Sequence, residues 1–94
     1  MEFHQLRYIC AIAETGSFSR AAERCQVAQP SLSQQVLKLE EDLGAKLFDR
    51  LGRSVRLTEA GRAFLPHARA ILSQMEAARS SVAGQRADLR GSVA

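Results

Sequence analysis

Two helices obliged to meet across three residues constrain this chain more than any other feature. Gly16 and Gly44 are stop signals for helices. Between them Ser17 and Pro30 are start signals, one as an N-cap, the other as a first-turn residue whose missing N–H costs nothing. They predict one helix from Phe18 to about Cys25 and another from about Gln29 to Leu43. Only Gln26-Val27-Ala28 is left to join them, enough for a tight turn with Val27 as an apolar plug. The inner face of the first helix is Phe18, Ala21, Ala22 and Cys25. Its alanines let another helix cross closely, where paired leucines would hold it away. Leu32, Val36, Leu39 and Leu43 recur at steps of four, three and four and form the inner face of the second. Such a pair is a helix-turn-helix.

The flanks extend it. Phe3, Leu6, Cys10 and Ala13 keep helical spacing, with Ile9 and Ile12 alongside, so a helix precedes Gly16. Lys46–Arg50 and Val55–Thr58 read as two short strands around a turn at Gly52. Leu47, Phe48, Val55 and Leu57 can fold that hairpin back onto the helices. The fold class is therefore mainly α: a winged helix-turn-helix, three helices plus a two-stranded wing, followed by a long helix. Thr58 is the N-cap candidate for that helix, with Glu59 at its positive end. Phe64, Ala68, Ile71, Met75, Ala78 and Val82 then step by four, three, four, three and four, a coiled-coil seam widened by Leu65 and Leu72. Pro66 should kink it. Periodicity runs to about Arg86, a rod of roughly 42 Å at 1.5 Å per residue. The first turns around Phe64 can pack on the chain's own head; beyond Ile71 a second copy of the chain is expected. The expected divisions are 1–58 for the head, 59–88 for a linker and dimerisation helix, and 89–94 for a hinge. The closing RADLRGSVA reads as a linker.

Composition narrows the function classes. With 94 residues, 46% apolar and 24% charged, the chain suits one small globular domain. A net charge of +3 is mild. Its distribution says more: from Lys46 to Arg69, Lys46, Arg50, Arg53, Arg56, Arg62 and Arg69 outnumber Asp49 and Glu59 by four, more than the whole chain's surplus. That is a candidate phosphate footprint. Cys10 and Cys25, both at inner-face positions, read as small buried hydrophobes rather than a disulfide framework. His4 and His67 are too far apart for zinc-site spacing, so no metal site is expected. No nucleophile, base and orienting group gather, so no enzyme is expected either, and His67 reads as solvent-facing or an interhelical contact. No apolar run approaches the roughly 20 residues that span a bilayer, and the start lacks the pattern of a secretory signal. A cytoplasmic chain with no membrane partner is expected.

The outer face of the Gln29–Leu43 helix is odd for a surface. Opposite its apolar stripe lie Pro30, Gln34, Leu37, Lys38 and Glu41, with Ser31 and Ser33 on the borders. Solvated helix faces usually carry Glu and Lys. Amides and hydroxyls both donate and accept, which suits the mixed donors and acceptors of major-groove base edges, and an apolar tip can touch a thymine methyl. Short residues at the helix start permit close approach, and the positive helix end favours phosphate. Glu40, Glu41 and Asp42 all fall at the far end. Arg50 and Arg53 can grip phosphates, with Arg53 placed to enter a minor groove from the wing tip. Arg56 has two uses open to it, a DNA contact or an ion pair with Asp49 or Glu59. Leu37 is likewise open between DNA and the hairpin. Ser and Gln at a helix start also serve as plain caps and surface filler, and the same elements suit a protein-binding winged helix with a coiled-coil dimeriser and no nucleic-acid activity.

The run GSFSRAAERCQVAQPSLSQQVLKLEEDLGAKLFDRLGRSVRLTEAGRAFLPHARAIL closely resembles the N-terminal DNA-binding domain of LysR-type transcriptional regulators, and the resemblance covers essentially the whole chain from Phe3. It implies a winged helix-turn-helix whose linker helix dimerises antiparallel. It also implies double-stranded DNA as partner, an interrupted inverted repeat as target, and tetramers for full-length members at the nucleoid. LRGSVA then resembles the hinge into an absent effector domain, so a small-molecule effector is expected there and no cofactor in this fragment. By the same resemblance Gln29, Pro30, Ser33 and Gln34 read bases, while Ser17, Ser31, Lys38, Arg50 and Arg53 mainly contact phosphate. The dimer seam is Phe64, Ala68, Ile71, Leu72, Met75, Ala78 and Val82. The chain departs from the common pattern in Ala28, which cannot cap as the usual Ser does, and in Gln34, where Arg is frequent. Cys25 is similar in setting to the peroxide-responsive branch, without assigning an inducer.

Overall fold

The computed structural model of the chain describes residues 1–50 and 54–93, the side chains as far as residue 85. In chain order the elements are α1 (Phe3–Thr15), α2 (Phe18–Cys25), α3 (Gln29–Leu43), β1 (Phe48–Asp49), β2 (Arg56–Leu57) and α4 (Glu59–Val93).

Local chemistry sets each boundary of the head. Gly16 adopts φ +69° and its N–H donates to the Ile12 carbonyl at 2.8 Å, ending α1. The Thr15 hydroxyl donates back to the Ala11 carbonyl at 2.8 Å, and one residue later the Ser17 Oγ accepts the Arg20 N–H to open α2. The three-residue turn is made by Gln26 in the left-handed region, φ +58°. The Gln26 and Val27 N–H groups donate to the Glu23 and Ala22 carbonyls, satisfying the end of α2. Gly44 closes α3 in the same manner at φ +71°, with Ala45 N–H on the Glu40 carbonyl.

The wing is shorter than its apolar pattern predicts. Instead of Lys46–Arg50 and Val55–Thr58, only Phe48 opposite Leu57 and Asp49 opposite Arg56 pair, antiparallel. At the end next to α4 one ladder donor is diverted, although Thr58 still reaches Leu47 in register. Leu47 N–H donates to the Glu40 carboxylate at 2.7 Å. Thr58 donates its N–H to the Leu47 carbonyl and its hydroxyl to that of Lys46, then accepts the Gly61 N–H at 3.0 Å. One residue thus ends the hairpin and caps α4.

The three helices of the head enclose Leu6, Ile9, Ile12, Phe18, Ala21, Leu32, Val36 and Leu39. Leu47 and Phe48 seal one side, and Leu65 and Ala68 of α4 seal another. Fully burying a side chain of Leu or Ile size contributes about 1.5–3 kcal/mol, so this cluster carries the head's stability. Two inner-face assignments fail. Phe3 is 53% exposed and Leu43 37%, each at a helix terminus, where fewer neighbours surround a side chain. Cys10 is buried as expected, whereas Cys25 is only half-buried.

α4 also differs from expectation in length. It does not end near Arg86 or give way to a linker in RADLRGSVA, but stays helical to Val93. Ala, Gln, Arg and Leu are good helix formers and no proline follows Pro66, so Gly84 and Gly91 weaken the helix without ending it. Pro66 lies inside the continuous helix. The result is an elongated molecule of 61 × 25 × 19 Å.

Candidate nucleic-acid interface

The outward face of α3 is built as its wheel predicts. Leu32, Val36 and Leu39 are buried, which turns Gln29, Pro30, Ser31, Gln34, Leu37 and Lys38 outward as exposed residues and leaves Ser33 half-buried. Gln29 Nε2 donates to Ser33 Oγ at 3.2 Å, leaving its carbonyl oxygen and the Ser33 proton for other partners. Ala28 provides no side-chain cap to the first turn, where Pro30 also sits. Among the described residues the hairpin approaches Ser33 and Leu37 and leaves Gln29, Pro30 and Gln34 exposed.

Between α3 and β1 lies an open cleft of about 450 Å³ lined by Ser33, Leu37, Glu40, Lys46, Phe48, Asp49 and Arg50. Leu37, 52% exposed, forms part of its wall and so borders the hairpin while remaining accessible. Arg50 does not hang free. Its guanidinium carbon sits 3.8 Å from the centroid of the Phe18 ring. That ring packs edge-on against Phe48 at 5.9 Å. A guanidinium stacked on an aromatic face is held with fewer conformers and keeps its edge donors free. Ser17, on the N-terminal side of the same ring, uses an Oγ lone pair to cap α2 and retains its proton for donation. Arg50 also lines the cleft with Ser33 and Leu37, which places it beside α3's outward arc. No local signal in the sequence announces the Phe18–Arg50 contact, which is long-range.

The acids behave differently from simple solvated charges. Glu40 turns in to hold Leu47, and Asp42 accepts from the amino group of Met1 at 3.4 Å. Lys38, Lys46, Arg50, Arg56 and Arg62 are all exposed. Among the described residues Arg56 forms no ion pair with Asp49 or Glu59. Arg53 lies outside the described residues. Burial pushes the thiols of Cys10 and Cys25 up from their ordinary value, against the opposing pull of Arg69 on Cys10 and of Arg7 and Arg24 on Cys25. Both stay protonated at neutral pH and are poor nucleophiles. Among the described residues no group of three or more His, Cys, Asp or Glu side chains could hold a metal ion, and no helix is long and apolar enough to cross a membrane. His67 is exposed.

The seam of α4 divides. Ala68 is fully buried against the chain's own helices, so it is removed from any contact with a second copy, and Phe64 is half-buried on the same core. Leu72 and Met75 are half-buried; Ile71, Ala78 and Val82 are exposed. The exposed Phe3 joins this strip. With Ala70, Ile71, Gln74 and Met75 it lines a shallow apolar depression of about 440 Å³. Sequence reasoning missed the polar contact on the other flank of α3, where Gln35 meets His4 and Gln5. A signal existed: Gln5 precedes Ile9 and Ile12 by four and seven residues and shares their inward face.

Residues 3–62 match the model of the bacterial regulatory helix-turn-helix protein, lysR family. The chain belongs to that family. An uncharacterized HTH-type transcriptional regulator in the ibpB-leuC intergenic region of Azotobacter vinelandii is 50% identical to this lysR-family chain over 91 residues, 97% of the chain and 63% of the relative. Against other relatives the chain spans about a third of their length, 33% of TfdT from Cupriavidus pinatubonensis being an example. Two solved structures carry the same fold with DNA bound. The BenM DBD in complex with benA site 1 DNA aligns with TM-score 0.83 at 40% identity, covering 87% of this chain and 92% of that one. The CbnR DBD–DNA complex aligns with TM-score 0.80 at 46% identity, covering 93% and 98%. The winged helix-turn-helix with its long C-terminal helix is thus the architecture this lysR-family chain shares with proteins solved on DNA.

Proposed function

We propose that this chain is a sequence-specific reader of double-stranded DNA that binds an interrupted inverted repeat as a dimer. The observation that carries the reading is the outward arc of α3, on which Gln29, Pro30 and Gln34 are exposed beside half-buried Ser33. Gln34 and Gln29 present amides able to bond adenine through N6 and N7, Ser33 a hydroxyl suited to several bases, and Pro30 an apolar edge. Ser17, Ser31, Lys38 and Arg50 position the domain on phosphate, and Arg53 is assigned the same role. The chemistry is recognition alone: no bond is made or broken, so no enzymatic activity is assigned.

Dimerisation follows from the uncovered strip of α4, where Ile71, Leu72, Met75, Ala78 and Val82 want a second helix. An antiparallel pair would carry two heads into successive major grooves. In a longer protein, α4 would lead to an effector-binding domain and support tetramers, the effector being a small molecule. The BenM and CbnR complexes support the DNA reading, and a DNA reader acts in the bacterial cytoplasm at the nucleoid.

Selection of preferred duplexes from a randomised pool tests it. The expected product is a site with two-fold symmetry whose affinity falls steeply with salt. Gln34→Ala should relax discrimination at one or two base pairs by about 1–3 kcal/mol. Binding to protein ligands that ignores salt, with no duplex selected, would favour a protein-interaction role instead.

A further inference from the structure

α3 is held to the head chiefly by Leu32, Val36 and Leu39, and apolar packing is non-directional. It resists separation of helices better than a small rotation about the helix axis. Such a rotation matters for a reader. With a helix radius of about 5–6 Å including side chains, turning α3 by about 10° moves its surface atoms by about 1 Å. That is enough to break a base contact whose donor–acceptor distance must stay near 3 Å.

Glu40 ties the C-terminal end of α3 to Leu47, and a second polar connection opposes that rotation nearer the reading residues. Gln5 is buried, 6% exposed, within an otherwise apolar cluster. Its Oε1 accepts the Glu2 N–H at 2.9 Å, fixing one end of the amide to the start of α1. Its Nε2 donates to Gln35 Oε1 at 3.1 Å, fixing the other end to α3. His4 Nε2 lies 3.2 Å from that same Gln35 oxygen, a second donor in the tautomer that carries the proton there. Gln35 is the neighbour of Gln34 on α3, so a turn that separates Gln35 from Gln5 sweeps Gln34 across the outward face.

We propose that Gln5 and Gln35 are positioning residues that set the rotational register of α3, and thereby control base discrimination without touching DNA. The inference rests on the DNA reading of α3. Buried hydrogen bonds are directional and costly to leave half-made, which suits them to fixing an angle.

The test compares Gln5→Met, Gln35→Met and Gln35→Glu in the full 94-residue chain. Methionine keeps length and helix propensity but removes the amide. Glutamate at 35 keeps both acceptor contacts. The readout is the ratio of affinities for the duplex selected by the wild type and for its scrambled counterpart, together with thermal unfolding. Each Met variant should lower the ratio about tenfold, in the range of one lost base contact. Affinity for scrambled DNA and its salt slope should stay unchanged. Combining the two Met substitutions should lower the ratio by clearly less than the product of the two separate effects, because both remove the shared Gln5–Gln35 bond. Gln35→Glu should keep the ratio within about twofold of wild type, since its added charge weakens both duplexes alike. Met variants that retain the wild-type ratio, or that weaken both duplexes equally, would overturn the proposal. If Gln5→Met does not fold, the Met and Glu variants at the half-buried Gln35 decide the matter alone. A wild-type chain that selects no sequence at all would instead sink the DNA reading beneath it.

Discussion

The two halves of α4 carry the same apolar spacing and meet opposite fates. Along Glu59–Leu72, Gly61, Leu65 and Ala68 are buried and Ala60, Phe64 and Leu72 half-buried on the head. Along Gln74–Gln85 every residue except Met75 is exposed. The difference lies in what stands opposite. α1, with 13 residues, is about 20 Å long, while α4, with 35, is about 52 Å. α1 packs along the first half of α4 and reaches its N-terminal end near Ile71, where Met1, Phe3 and Leu6 border that residue. Past Met75, which Phe3 still borders, α4 is exposed all round as far as Gln85. Periodicity therefore marks a face for burial without saying which molecule covers it.

The sharpest way to break this comparison is to damage each half in turn. Leu65→Ala should destabilise the head by about 2–5 kcal/mol, read as a lowered midpoint in denaturant unfolding, because Leu65 is 7% exposed in the core. Met75→Glu should change the stability of monomeric protein by less than about 1 kcal/mol. It should nevertheless abolish the dimer in sedimentation. A dimer that survives Met75→Glu would mean that the distal strip is ordinary surface, and a mild Leu65→Ala would mean that the proximal half is not core.

The same distinction explains what was legible in the sequence. Elements with local signals came through nearly to the residue: Gly16, Ser17, Pro30 and Gly44 each do chemically what their type suggests. The outward placement of Gln29, Pro30 and Gln34 was legible too, since burying Leu32, Val36 and Leu39 leaves them no other side. Phe3 and Leu43 were misread because spacing alone cannot show how much of a helix's end its neighbours cover. One end of the strands was overestimated because the Glu40 carboxylate captures the Leu47 N–H, a group the ladder would otherwise have used. That side chain comes from outside the hairpin's apolar pattern. Arg50 on Phe18 and Gln5 on Gln35 are long-range contacts, and only the second left a trace, a polar residue on an apolar face.

Glycine substitutions sharpen the comparison with smaller effects of opposite sign. At Gly61, in the proximal half, an added Cβ would overlap the Leu47 carbonyl oxygen and stand 2.8 Å from Leu57 Cδ2. That carbonyl already accepts from Thr58, so it cannot retreat without loosening the junction of wing and helix. Overpacking costs about 1–3 kcal/mol, against about 1 kcal/mol gained when Ala replaces Gly in a helix. Gly61→Ala should therefore lower stability by about 1 kcal/mol. At Gly84, in the distal half, an added Cβ meets nothing within 4 Å. There the propensity gain is unopposed, and Gly84→Ala should raise helicity by circular dichroism and stabilise α4 by about 0.5–1 kcal/mol. Gly84 is off the apolar seam, so the gain should persist in the dimer. If Gly84→Ala instead weakened self-association, the partner helix would have to cross at Gly84 rather than along Met75 and Val82. The seam would then be rotated from the one its apolar spacing defines.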